Sequence, residues 1–378
     1  MNITTYVEKI GNLSFEEKSF CDTDALIFTE ISYLFLHMFV PSIHEEKESF
    51  LIKDIPLSAV KGLTVNTLLP NKNTRLIKAM IKSKRYQDVG LADEWEIFDK
   101  ENDNQFYAVT FILPDKTRFI AYRGTDITLT GWQEDFDMAY MDKVPAQKEA
   151  LEYLKEECSK FSDPFYIGGH SKGGNMAAFA AIYMPESLNN RLIKAYSFDG
   201  PGFKNSDIFS SSRYRTVQDR FFKAIPHDDL IGVLLHNSPD AKIIDASSFS
   251  ILQHDPFVWK LDEDGNFIFL EKRTDSSLKS EELITRWLAS LSHEETVILS
   301  KCLIELLGGK NATVHMIEKK ILLVLPQALI VFSKYDKKTQ DFLVDAFKKL
   351  LGFFKDISKE NKKKRLPVKK KKLEAVSD

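Results

Sequence analysis

Pro164-Phe165-Tyr166-Ile167-Gly168-Gly169-His170-Ser171-Lys172-Gly173-Gly174-Asn175-Met176-Ala177-Ala178 is the stretch whose reading decides the fold. Phe165 to Ile167 form a short apolar run of the kind that makes a buried strand. Glycines end it, and an alanine-rich helical run through Ala181 follows. Gly169-His170-Ser171-Lys172-Gly173 therefore stands at a strand-to-helix join and fits the Gly-x-Ser-x-Gly nucleophile elbow. In such an elbow the serine takes a strained backbone conformation, and small neighbours let strand and helix approach closely. The pentapeptide alone is a weak pattern; the strand before it and the helix after it give it meaning. A serine that merely capped the helix would leave the second flanking glycine without a reason.

Outward from the elbow, the pattern alternates. A helix is expected over 22–39 and a basic one over 73–85. Strands at 106–113 and 117–123 are joined by the turn Pro114-Asp115-Lys116, and a helix at 145–161 leads into the elbow strand. Beyond it lie strands at 193–198, 220–225 and 241–245, and a hairpin over 257–270 turning at Asp264-Gly265. Alternating strands and helices around a nucleophile predict an α/β fold: a mainly parallel sheet flanked by helices on both faces. From Ser280 the pattern is helical without strands. The expected division is a hydrolase-type domain over 1–279, a helical appendage over 280–358 and a disordered lysine-rich tail over 359–378.

Composition bounds the function. With 43% hydrophobic and 28% charged residues, the 378-residue chain is that of an ordinary globular protein. Its net charge is −3, yet Lys362–Arg365 and Lys369–Lys372 carry eight positive charges, so the remainder sums to −11. An acidic body argues against a nucleic-acid-binding domain. Three scattered cysteines, Cys21, Cys158 and Cys302, point to a reducing compartment. The amino terminus has no secretory h-region, and no apolar run is long enough to span a bilayer, so a cytoplasmic location is expected. No HExxH, GxGxxG or P-loop is present, and no cofactor is expected.

A serine nucleophile needs a base to take its proton and donors for the oxyanion that forms. Arg123-Gly124-Thr125-Asp126 ends an earlier strand, and Gly131-Trp132-Gln133-Glu134-Asp135-Phe136 follows. Together with Gly169 to Gly174, these segments resemble the class 3 (fungal-type) lipases of the α/β-hydrolase fold. Asp24-Ala25-Leu26, Asp199-Gly200-Pro201-Gly202-Phe203 and Gln253-His254-Asp255-Pro256-Phe257-Val258-Trp259 look more narrowly like a branch of bacterial hydrolase-like proteins. The likeness spans about residues 20–262.

The resemblance implies that Ser171 is the nucleophile. Thr125 would be the side-chain oxyanion donor, with the backbone N–H groups of Thr125 and Lys172 completing the hole. In this fold the acid follows the nucleophile and the histidine follows the acid. Among His236, His254, His293 and His315, the family-like segment favours His254. The acid is sought in Pro226-His227-Asp228-Asp229-Leu230. Asp228 is the first choice and Asp229 the second, with Asp199, which looks like a turn former, outside them. Arg123 is read as an ion-pair partner, of Asp135 for instance, and Trp132 and Phe136 as packing residues. Lys172 replaces the apolar residue of classical lipases; it could favour an anionic acyl group or be tied up in a salt bridge.

The expected function is a serine hydrolase acting on carboxylic esters, with an ester or lipid-like small molecule as substrate. The alternative is a hydrolase-fold binding or regulatory module that has kept the elbow without the activity. The lysine-rich tail could add weak contact with an anionic surface, although a purely solubilising role is the first expectation.

Overall fold

The computed structural model describes residues 1–99, 104–125, 138, 141–306 and 331–374. Among the described residues, nine strands form one sheet in sequential order. They are β1 (Phe50–Leu51), β2 (Gly90–Asp99), β3 (Asn104–Ile112), β4 (Arg118–Tyr122), β5 (Phe165–His170), β6 (Leu192–Phe198), β7 (Phe221–Pro226), β8 (Lys242–Ile244) and β9 (Phe269–Leu270). Strands β4 to β8 run parallel, whereas β1 to β4 and the β8–β9 pair are antiparallel. The sheet is thus mixed rather than mainly parallel. The added antiparallel strand is β2, whose alternation is broken by a register shift between Ala92 and Trp95. A bulge there moves side chains out of period two and hides the strand from pattern reading.

Helices cover both faces. On one lie α1 (Ile3–Ile10), α2 (Asp22–Ile31), the short α3 (Val60–Thr64) and α4 (Pro70–Ile81), with Ile27, Phe28, Leu76 and Ile77 packed against Phe111 and Phe119. On the other lie α5 (Pro145–Ser159) and α6 (Lys172–Tyr183), with Tyr153, Met176 and Phe179 against Tyr122, Phe165 and Ile167. The expected helix over 22–39 stops at Ile31, and a 3₁₀ turn covers Leu36–Met38. Asp24 explains the fixed start of α2. Its fully buried carboxylate accepts from Arg85 (2.6 Å), from the Tyr86 hydroxyl and from the Cys21 N–H (2.9 Å), locking α2 to the end of α4. A buried ion pair is tolerated only when its remaining lone pairs are met in this way.

The expected hairpin at 257–270 is reduced. Pro256–Val258 is a 3₁₀ turn, the two arms meet at the Leu261–Phe267 bridge, Trp259 is bridged to Ala246 instead, and β9 pairs with β8. After the short α7 (Ser212–Val217), the described residues include α8 (Asp275–Ala289), α9 (His293–Leu306) and α10 (Lys337–Glu374). Trp287 Nε1 donates to the Ala346 carbonyl at 2.8 Å, fastening α8 to α10. The α10 backbone continues through the lysine-rich stretch to Glu374 rather than ending near Ser358. Among the described residues, no helix is long and apolar enough to cross a membrane.

Candidate active site

The site is assembled where β5 and β6 end. Ser171 sits between β5 and α6 with φ 57° and ψ −132°, a conformation L-residues avoid. Its neighbours explain how the chain holds it there. A Cβ built on Gly169 would collide with the Gly173 backbone, and one on Gly173 would collide with the Tyr122 carbonyl. The two glycines of the motif therefore let β5, α6 and β4 approach at one point. The Ser171 N–H donates to Phe198 O at 2.9 Å, so the end of β6 clamps the elbow. Gly124 lies directly alongside: a Cβ on it would stand 3.2 Å from Ser171 Cβ. Buried Thr125 follows Gly124, and Lys172 opens α6, whose first N–H groups have no partner within the helix.

Asn175, on the first turns of α6, joins two motifs that are distant in sequence. Its Nδ2 donates to Gly202 O (2.7 Å) and Pro201 O (3.2 Å), and its Oδ1 accepts from Gln147 Nε2 (2.7 Å). This pins the Asp199-Gly200-Pro201-Gly202 turn to the nucleophile helix. Asp199 adopts φ 48°, and its N–H donates to Ala224 O. Asp tolerates that left-handed conformation better than most residues. The result is a fully buried carboxylate at the end of β6, with Oδ2 2.7 Å from His254 Nδ1.

His254 lies at the end of a 3₁₀ turn (Ser250–His254) held by buried Gln253. Gln253 Oε1 accepts from the Asp228 N–H, its Nε2 donates to Ser248 O, and its carbonyl accepts from Trp259 Nε1. The His254 ring remains 24% exposed, so it can be reached from solvent. His170, next to Ser171 in the chain, faces it with ring centroids 4.6 Å apart. His170 Nε2 is 2.9 Å from the His254 carbonyl, which can only accept; Nε2 must carry the proton, leaving Nδ1 to face the Tyr33 hydroxyl at 3.3 Å. Burial, followed by the charge of a protonated His254, drives the His170 pKa well down, so it stays neutral. The sequence reading weighed neither His170 nor Tyr33, because a role as backbone clamp leaves no sequence signature.

The structure does not bring Asp228 to His254. Its carboxylate instead accepts from the hydroxyls of Thr274 and Ser276 (2.6 Å for the latter) and from the Ser250 N–H (3.0 Å). Burial pushes its pKa up, but these donors outweigh that and hold it below the usual value. Thr274 caps α8, so Asp228 ties the appendage to the sheet. Asp229 is fully buried and turned inward. Its Oδ2 accepts from the N–H groups of Ile231 and Gly232. Burial, then the charge of Asp199, lifts it to about 8.

Lys172 is buried, and its ammonium donates to Gln105 O at 2.9 Å rather than standing at the surface to meet a ligand. Arg123 is an ion-pair partner, but of Glu96 (2.9 Å), and it stacks over Tyr107. His236 is exposed on the loop bridged to Phe203. Asp126, Trp132, Asp135, Phe136 and His315 lie outside the described residues, as does the His293 side chain.

Donor atoms of His170, Asp199 and His254 lie within 4.8 Å of one another. Hydrogen bonds explain this proximity: His170 Nε2 is committed to a carbonyl, and His254 Nδ1 to Asp199. The arrangement suits proton transfer. With Nδ1–H held by a carboxylate, Nε2 is the basic nitrogen of the imidazole.

A mixed sheet with helices on both faces and a strained serine at a strand–helix join is an α/β fold. The chain belongs to the Mbeg1-like family, which matches residues 80–304, running past the expected boundary at 279 into α9. No curated protein matches it in sequence. Three solved lipases are similar to parts of it. The Rhizomucor miehei lipase–propeptide complex is 12% identical, covers 56% of this chain and 83% of that one, and has a TM-score of 0.32. A triacylglycerol lipase from Penicillium expansum is 13% identical, covers 50% and 77%, and has a TM-score of 0.31. A mutant MDLA from Penicillium cyclopium is 12% identical, covers 68% and 91%, and has a TM-score of 0.37.

Proposed function

We propose that this protein is a serine hydrolase cleaving carboxylic esters, with Ser171, His254 and Asp199 as its catalytic triad. One observation carries the reading. A serine held at positive φ directly follows His170, whose ring lies 4.6 Å from the His254 imidazole, and the Nδ1 of that imidazole is fixed at 2.7 Å by a buried carboxylate. Asp199, rather than Asp228, fills the acid's role, because Asp228 is consumed by Thr274, Ser276 and Ser250.

In the reaction Ser171 Oγ attacks the ester carbonyl carbon while its proton passes to His254 Nε2. Asp199 stabilises the imidazolium, and the oxyanion is met by Thr125 and the N–H of Lys172. The C–O bond then breaks, and the alcohol leaves with the proton from His254. Water gives a proton to His254, attacks the acyl-enzyme and releases the acid, and the proton returns to Ser171. The substrate is an ester or lipid-like small molecule; buried Lys172 gives no support to an anionic acyl group.

A fluorophosphonate probe tests the reading, since only an activated serine labels. Wild type should label and Ser171→Ala should not, with its fold unchanged. A wild-type protein that does not label would instead be a binding or regulatory module on this fold.

A further inference from the structure

Behind the proposed acid stands a second carboxyl. Asp199 and Asp229 are both fully buried, and Oδ1 of each is left without a hydrogen-bond partner. Asp199 Oδ2 faces His254 Nδ1, and Asp229 Oδ2 accepts from the Ile231 and Gly232 N–H groups. Gly232 lies tight against this pair, for a Cβ on it would run into Asp199 Oδ1. Two ionised carboxylates offer only acceptors and repel; a hydrogen bond between them requires one proton.

The surroundings assign that proton. Asp199 faces the His254 imidazole, and the buried Lys223 side chain reaches from β7 to donate to Gly200 O beside it, its pKa pulled down by burial to about 7. Asp229 faces only Asp199, His254 and backbone N–H groups, while its neighbour Asp228 is turned away onto Thr274 and Ser276. His254 Nδ1–H calls for an acceptor on its side of the pair, so the proton belongs on the inner carboxyl, Asp229. We propose that Asp229 is a neutral carboxylic acid donating its O–H to Asp199, a positioning residue that fixes the Asp199 carboxylate on His254.

This rests on the triad reading above and adds a group that touches neither substrate nor nucleophile. Asp229, lifted to about 8, would lose its proton in mildly alkaline solution. The donor would then vanish, and two like charges would push apart behind the histidine. Glu30, buried on α2, acts on His254 and is also lifted to about 8, first by burial and then by Asp255, so it must be controlled separately.

The test uses the full chain, an ester substrate found by activity screening and four variants. Asp229→Ala should lower kcat by roughly 10- to 100-fold, the usual cost of removing a partner that orients a functional side chain. Asp229→Asn should recover most of that loss. Its Nδ2–H donates where the acid O–H did, and its Oδ1 accepts from Ile231 and Gly232. The alkaline fall in kcat near pH 8 should be present in wild type and in Glu30→Gln, and absent from Asp229→Asn. Infrared difference spectra should show a protonated-carboxyl band at neutral pH that Asp229→Asn removes. Three results would each overturn the proposal: no such band, Asp229→Asn as inactive as Asp199→Asn, or Asp229→Ala with the wild-type rate and pH profile. If Asp229→Ala does not fold, the asparagine variant's pH profile and spectrum decide. If wild-type Ser171 does not label with fluorophosphonate, the hydrolase reading fails by itself, and the infrared band decides the carboxyl pair.

Discussion

Changing Asp199 to Asn separates the charge of this residue from its shape. Asn suits the left-handed φ of 48° almost as well as Asp, and its volume is nearly the same, so the turn to Pro201 should survive. What is lost is a negative charge 2.7 Å from His254 Nδ1. At an effective dielectric constant of about 20, one unit charge at that distance stabilises an imidazolium by about 6 kcal/mol. Each 1.36 kcal/mol is a factor of ten in rate, so the loss should approach 10⁴-fold in kcat. Holding the histidine in the wrong tautomer gives a loss of the same order. Stability should barely change, because Asn keeps the side chain's shape while removing the cost of burying a charge. The assay is kcat on an ester substrate at pH 7, for Asp199→Asn beside Asp228→Asn, with melting temperatures for both. Asp228→Asn should lose little rate, since it supports Thr274 and the start of α8. A loss below tenfold in Asp199→Asn, or a loss of about 10³-fold confined to Asp228→Asn, would refute the assignment.

Thr125→Ala should raise the barrier by about 2.7–4 kcal/mol, the usual cost of one oxyanion donor, read from kcat with the fold intact. Arg85→Met leaves the Asp24 carboxylate buried without its cation and should cost about 3–5 kcal/mol in urea unfolding at pH 7. The pH dependence of stability reads Asp229 directly. Its pKa is raised in the folded state, so the folded chain holds an extra proton between about pH 4 and about pH 8. Wild type should therefore lose stability relative to Asp229→Asn as pH rises through that window, then run parallel to it above. A constant difference from pH 4 to 9 in urea melts would contradict a raised Asp229.

The parts of this molecule legible in its sequence are those set by local constraint. The elbow is one, because a strained serine at a three-way approach of β4, β5 and α6 demands glycine at fixed offsets. The β3–β4 hairpin is another, since Pro114-Asp115-Lys116 closes it with turn chemistry. The antiparallel extension through β2 was not legible, because its bulge erases the alternation that marks a strand. The acid was not legible for a different reason. Asp228 leaves β7 where acids of this fold emerge, but the Thr274 and Ser276 hydroxyls that capture it lie 46 and 48 residues away. Asp199 was read as a turn former, and it is one. The positive φ that makes the turn also aims the carboxylate at His254, so one backbone feature serves both purposes.

What selects between the neighbouring aspartates is thus long-range contact. Asn175 supplies part of it by holding Pro201 and Gly202 against the nucleophile helix, and Gln253 supplies the rest by binding the Asp228 N–H one residue before His254. Asn175 joins the Gly-His-Ser and Asp-Gly-Pro-Gly segments, and the contacts of His254 with His170 Nε2 and Asp199 join the Gln-His-Asp-Pro segment to both. Each segment carries one side chain of the proposed triad. Asn175→Ala should accordingly weaken the alignment of Asp199 with His254 without touching either of them, through the turn alone.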